Sequence, residues 1–239
     1  MAEVEIKQNP QIEELFKNGA HFGFSKSRRH PSANAYIYGS KNRNDIIDLE
    51  KTNESLEKAL LFVKSLAEKK ETILFVGGKN EAQKAIREVA EAIDMPFVAG
   101  RWIGGTLTNF SEIKKRVETM LSLISQKEKG ELAKYTKKER LLIDRDIEKL
   151  QKMFGGISRM SSLPKALFIV DPRYDSTALS EARLMKIPVV ALCGTDNDFK
   201  TVNYVIPGND SSQKSIKYFL DKIKETYIKN KSEIVANKS

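Results

Sequence analysis

Four short runs in this chain, TILFVGG (72–78), PFVAG (96–100), ALFIV (166–170) and IPVVALCG (187–194), are apolar almost without interruption. A strand with one wet face alternates apolar and polar residues, so an unbroken run predicts a strand covered on both faces. Weaker strand signals flank them, DIIDL before the first and NYVIPG after the last. Between the runs apolar residues return at helical spacing: Leu56, Leu60, Val63 and Leu66, then Ala82, Ala85, Ile86 and Val89, then the segment 176–185. Strand and helix in alternation predict an α/β fold, a parallel sheet with helices on both faces.

The alternation breaks once. Phe110, Ile113, Val117, Met120 and Ile124 recur every three or four residues, and so do Ile143, Ile147, Leu150 and Phe154. Two amphipathic helices follow from that spacing. TKKE (136–139) has the form of a capping box opening the second helix, and Gly155 and Gly156 close it. With a short connection between them, the helices are expected to lie antiparallel as an inserted hairpin over 109–156, its arms reaching roughly 25 Å at 1.5 Å per residue. Two roles suit it: a partner-binding prong, or a cover for the flank of the sheet. The sheet domain is then discontinuous, 1–108 and 157–229, and the lysine-rich end, 230–239, is expected to fray.

Charge narrows the partners. A formal net charge of +9 sets up a field that draws polyanions, nucleic acid before an anionic membrane. The stretch 15–44 carries six Lys/Arg and no Asp or Glu, and holds both histidines, His21 and His30. Ordinary surfaces intersperse the two signs. Lys26, Arg28, Arg29, Lys41 and Arg43 suit RNA phosphates, with His30 among them, while Phe22, Phe24, Tyr36 and Tyr38 are mostly packing residues. A second basic site is GRWIGGTLTNF (100–110), at the end of a strand, where open α/β sheets bind ligands. Arg101 would clamp a phosphate, Thr106, Thr108 and Asn109 offer short donors, and Trp102 is a packing anchor. Lys114 and Lys115 continue the basic surface along the first arm.

Catalytic and cofactor signatures are missing. The turn Gly77-Gly78-Lys79-Asn80 has neither the spacing of a nucleotide-binding P-loop nor G-x-G-x-x-G, and reads as a tight strand-to-helix turn. His21 and His30 lie far from the single cysteine, Cys193, so no local zinc spacing exists and no cofactor is expected. Cys193 sits in an apolar run and is expected to be a buried, reduced thiol, as in a cytosol-like compartment. Asp196 and Asp198 read as solvated turn residues. The N-terminal MAEVEIKQNPQ has no apolar core of an export signal, and no run is long enough to span a membrane. An enzyme acting on a phosphorylated small molecule, with 77–80 as cradle, and a free-standing adaptor gripping a protein are the rival readings.

The segments FKNGAHFGF, RWIGGTLTNF, EARLMKIPVVALCGTD and NYVIPGND, in this order and at these separations, resemble bacterial protein two of the small ribosomal subunit over residues 11–225. That resemblance implies a flavodoxin-like parallel sheet with a coiled-coil insertion. It implies a non-catalytic structural constituent of the cytoplasmic ribosome, held against small-subunit rRNA near the junction of head and body. It also implies neighbouring small-subunit proteins as partners, among them the large multi-domain protein one that captures mRNA, with no membrane and no small-molecule substrate. The family's basic N-terminal region and RW-x-GG-x-LTN loop match residues 26–43 and 101–109. Departures include Phe24, where the family usually has histidine, and Phe199 in place of a proline.

Overall fold

The computed structural model describes residues 10–236, with side chains through Lys231. The N-terminal stretch read for an export signal lies largely outside the described residues.

The first described residues, Pro10 to Ile47, build a small antiparallel layer. Helix α1 (Pro10–Lys17) precedes strands β1 (Phe22–Ser25), β2 (Ile37–Lys41) and β3 (Asn44–Ile47), ordered β1-β3-β2. Asn42 and Arg43 both take positive φ, 51° and 65°, between the paired residues Lys41 and Asn44. That is the two-residue hairpin turn whose twist matches its strands. Asp48 then caps α2 (Leu49–Glu68) by accepting from the backbone N–H groups of Glu50 and Lys51.

The main sheet consists of β4 (Ile73–Val76), β5 (Phe97–Val98), β6 (Ala166–Val170), β7 (Val189–Cys193) and β8 (Tyr204–Pro207). All its pairings are parallel, in the order β5-β4-β6-β7-β8. Counted along the chain this is 2-1-3-4-5, the flavodoxin-like order, with its switch point between β4 and β6. Helices α3 (Asn80–Ala92), α4 (Phe110–Glu128), α5 (Lys137–Phe154), α6 (Ser176–Leu184) and α7 (Gln213–Ala236) complete the chain.

The apolar runs are covered on both faces because each strand feeds two cores. Phe75, Phe168, Val190 and Leu192 meet α2, α3 and α7 through Leu56, Ile86, Phe219 and Ile223. Their strand neighbours Leu74, Leu167, Ile169, Val189 and Cys193 meet Trp102, Ile113, Met120, Phe154 and Leu179 on the other side. Cys193 is fully buried, and burial holds its thiol well above the usual range. One face of α4 and of α5 therefore belongs to the second core, whereas Leu121, next to Met120 on α4, and Leu141 and Leu142 near the start of α5 are exposed. The capping box of Thr136 and Glu139 opens α5. Beyond Phe154 the chain tightens into a 3-10 turn over Gly155–Ile157, and an added Cβ at Gly156 would collide with the carbonyl oxygen of Phe97 on the edge strand β5. The segment expected to fray from residue 230 continues α7 through Ala236, and residues 237–239 lie outside the described chain. No helix among the described residues is long and apolar enough to cross a membrane.

Candidate functional site

The small antiparallel layer lies against the C-terminal ends of β7 and β8. The Phe24 N–H donates to Thr195 Oγ1 at 2.9 Å, the His30 N–H to the Thr195 carbonyl at 2.8 Å, and the Asn209 N–H to the Ala20 carbonyl at 3.1 Å. This docking gathers the first group of basic residues. Lys26 donates its backbone N–H to the Arg43 carbonyl at 3.0 Å, which puts it beside the hairpin tip that carries Lys41 and Arg43. All three side chains are exposed, and none forms an ion pair among the described residues.

The arginines between them behave differently from the free cations expected. Arg29 turns inward: Nε donates to Asp45 Oδ2 at 2.7 Å, its terminal nitrogen bonds the other carboxylate oxygen, and Ser40 completes the group. The Asp45 carboxylate is fully buried, so its charge has to be matched inside the fold, and Arg29 matches it. The hydrogen bond to Arg29 holds Asp45 below the usual carboxylate range, and the same bond raises Arg29. Arg28 donates to Asp196 Oδ2 at 3.0 Å and lies 4.3 Å from the centroid of the Phe24 ring, yet its side chain stays half exposed. His30 bonds Ser32 at 2.8 Å and lies 3.8 Å from Asp198.

The second basic site is built around one carboxylate that the sequence did not single out. Glu181 of α6 is buried, and its two oxygens accept from Trp102 Nε1 at 3.1 Å, Gly105 N–H at 2.8 Å, Leu107 N–H at 2.9 Å, Thr108 N–H at 3.1 Å and Thr108 Oγ1 at 3.1 Å. Burial pushes the Glu181 carboxyl up, but these hydrogen bonds outweigh burial and leave it below its ordinary value. Donors that looked available to a ligand are thus consumed internally. Thr106 is a correction of the same kind, being buried with its hydroxyl donating to the Ile103 carbonyl at 2.6 Å. Arg101 and Asn109 stay exposed, as do Lys114 and Lys115, the last paired with Glu112 at 2.6 Å. Arg101 lines a separate cleft of about 980 Å³ with Arg87, Lys152 and Arg159.

At the sheet's switch point, where open α/β sheets bind ligands, several polar groups are engaged from within, and a crevice of about 520 Å³ lined by Lys79, Asp171 and Tyr174 remains above them. Gly78 donates its N–H to Asp175 Oδ2 at 2.8 Å, and an added Cβ there would lie 2.6 Å from Tyr174. Lys79 Nζ reaches Asp171 at 2.5 Å and Asp210 at 3.3 Å. Burial depresses Lys79, but Asp210 and Asp171 outweigh burial and hold it above its usual value. Burial pushes Asp175 and Asp210 each up to about 6. The turn at 77–80 is the tight one expected, and its Gly78 N–H is held by the protein's own carboxylate, which opposes an incoming phosphate at that donor. Asp196, read as a solvated turn residue, is buried, with Arg28 and Arg173 on one of its oxygens. Among the described residues no group of three or more His, Cys, Asp or Glu is arranged to hold a metal. His21 stacks on Phe16 at 4.4 Å, and its Nδ1 is buried without a hydrogen-bond partner among the described residues.

Sequence comparisons match residues 15–230 to the family model described as ribosomal protein S2. The small ribosomal subunit protein uS2 of Thermus thermophilus is 41% identical over 224 residues, 94% of this chain and 88% of the relative. The protein of the same description from Hahella chejuensis is 39% identical over 226 residues, 95% of this chain and 89% of the relative.

Proposed function

The chain belongs to the ribosomal protein S2 family, and from that membership we propose that it binds small-subunit rRNA near the head–body junction through the exposed cations of its small antiparallel layer and of the loop after β5. It is a structural, non-enzymatic constituent of the small ribosomal subunit and serves translation. The observation that carries the rRNA assignment is that Lys26, Lys41 and Arg43 are brought together at one hairpin, exposed and with no ion pair of their own among the described residues, Lys26 feeling Asp45 only at longer range. Unpaired cations release counterions on meeting phosphates and so contribute most of such an interface. Arg101, Asn109, Lys114 and Lys115 extend the interface on the second site, Arg28 and His30 on the first.

In this reading, residues 109–156 form a coiled-coil arm apart from the sheet domain of 1–108 and 157–229. The arm's exposed leucines, Leu121, Leu141 and Leu142, are left for neighbouring ribosomal proteins. The protein helps dock the large multi-domain protein one and works in the cytoplasm. The test is reconstitution of small subunits stripped of this protein with a Lys26, Lys41, Arg43 and Arg101 alanine variant. Binding should weaken, and the slope of log affinity against log salt should fall by about 0.7–0.9 for each phosphate no longer neutralised. An unchanged slope would overturn the assignment. Arg29 is left intact because its loss would strand Asp45.

A further inference from the structure

Arg28 and Arg173 lie far apart in the chain and converge on a single atom, Asp196 Oδ2, at 3.0 and 2.8 Å. Asp196 is 2% exposed, while the two arginine side chains are 54% and 57% exposed, so a buried anchor holds two outward-facing guanidiniums. Other interactions fix the same geometry. Arg28 stacks on Phe24, and the Arg173 N–H donates to Asn197 Oδ1 at 2.8 Å and to Asp171 Oδ1 at 3.1 Å. The pair forms a ridge between crevices of about 410 and 520 Å³, each of which it lines. Each guanidinium carries five N–H donors in a rigid fork and spends one on Asp196, so most donors stay free. Beneath them Lys79 serves both Asp171 and Asp210, Gly78 and Gly194 bond Asp175 and Asp210 through neutral N–H groups, and Asp198 and Glu81 line the two crevices, so the site has no excess of cations and its draw on a phosphate rests on the free fork donors.

We propose that Arg28 and Arg173 form a preorganised clamp for a backbone phosphodiester of rRNA, with Asp196 as the positioning residue that sets their spacing. This rests on the rRNA-binding reading above. It adds a contribution from the loop after β6, which the sequence pattern did not mark, and gives Asp196 a role opposite to that expected from its charge.

The sign of one substitution separates the clamp from a diffuse positive field. Asp196→Asn removes a negative charge from a phosphate-binding face, so a field alone predicts tighter binding to small subunits stripped of this protein. The clamp predicts weaker binding, by about tenfold, because both guanidiniums lose their shared anchor. Circular dichroism and thermal melting establish that each variant is folded. If Asp196→Asn fails to fold, the Arg28→Lys, Arg173→Lys pair decides: it keeps the charge and loses the fork, so the clamp predicts a comparable loss and a field predicts none. Hydroxyl-radical probing of the rRNA backbone should lose protection at one or two nucleotides in the variants. Weaker binding with every rRNA protection intact would assign the clamp to a protein carboxylate and overturn the phosphodiester. Variants equal to wild type would sink the clamp and leave the ribosomal reading standing, whereas failure of the wild-type chain to bind in a salt-dependent way would sink that reading itself.

Discussion

Replacing Glu181 with glutamine should cost far more than a change of one oxygen to one nitrogen suggests. Five donors converge on the carboxylate, two on Oε1 and three on Oε2. A glutamine amide has one accepting oxygen, and its NH₂ has to face donors on the other side. The less damaging orientation puts the NH₂ where Oε1 stood and strands the Trp102 and Gly105 N–H groups. An unsatisfied buried donor costs about 1–3 kcal/mol, and the three remaining bonds lose the assistance of the charge. The sum is about 3–5 kcal/mol, a large part of the roughly 5–15 kcal/mol that holds a typical domain together. For a chain of this size it corresponds to a fall in Tm of about 6–20 °C, read by circular dichroism or calorimetry. The pH dependence gives a second reading. Because Glu181 lies below its ordinary value of 4.5 in the folded state, its stabilisation is present above that pH and fades as the folded value is crossed on acidification. The gap between variant and wild type should therefore narrow in acid. A variant melting within about 2 °C of wild type at neutral pH would refute the idea that this carboxylate organises the RWIGGTLTN loop.

Gly156→Ala should cost about 1–3 kcal/mol in denaturant unfolding, since its Cβ would meet the backbone oxygen of Phe97; Gly155→Ala, with open space at its Cβ and helical φ, is the control expected to be near neutral. Lys79→Met leaves Asp171 and Asp210 without their cation and should destabilise by about 3–5 kcal/mol at neutral pH, the usual cost of breaking a buried pair. Asp175 is raised from 3.8 to about 6, so the native state binds more protons than the unfolded chain in that window and stability falls as pH rises through it. Asp175→Asn should remove roughly half of that fall, leaving the part due to Asp210, which has the same sense; an unchanged stability–pH curve from about pH 4 to 6 would count against it.

The strands of the parallel sheet and helices α2, α3 and α6 were legible in the sequence, whereas α1, β1, β2 and α7 were not marked by its pattern. Unbroken runs such as ALFIV and IPVVALCG announce burial on two faces, and the 3.6-residue recurrence in 56–66 and 82–89 announces the helices that do the burying. The capping box at Thr136 was equally legible, because both its partners lie within four residues. Composition marked the basic segment, and Lys26, Lys41 and Arg43 did emerge exposed and together. Which cations stay free was decided only by tertiary structure. Arg29 and Lys41 look alike in a string of residues, but one meets Asp45 sixteen positions away and the other meets water. Glu181 with the loop at 102–108, Lys79 with Asp210, and Arg28 with Arg173 are pairings across long separations. Local pattern carries the period of an element and the face it buries, but a charge's partner depends on how the crossovers bring strand ends together, and no short stretch of sequence encodes that.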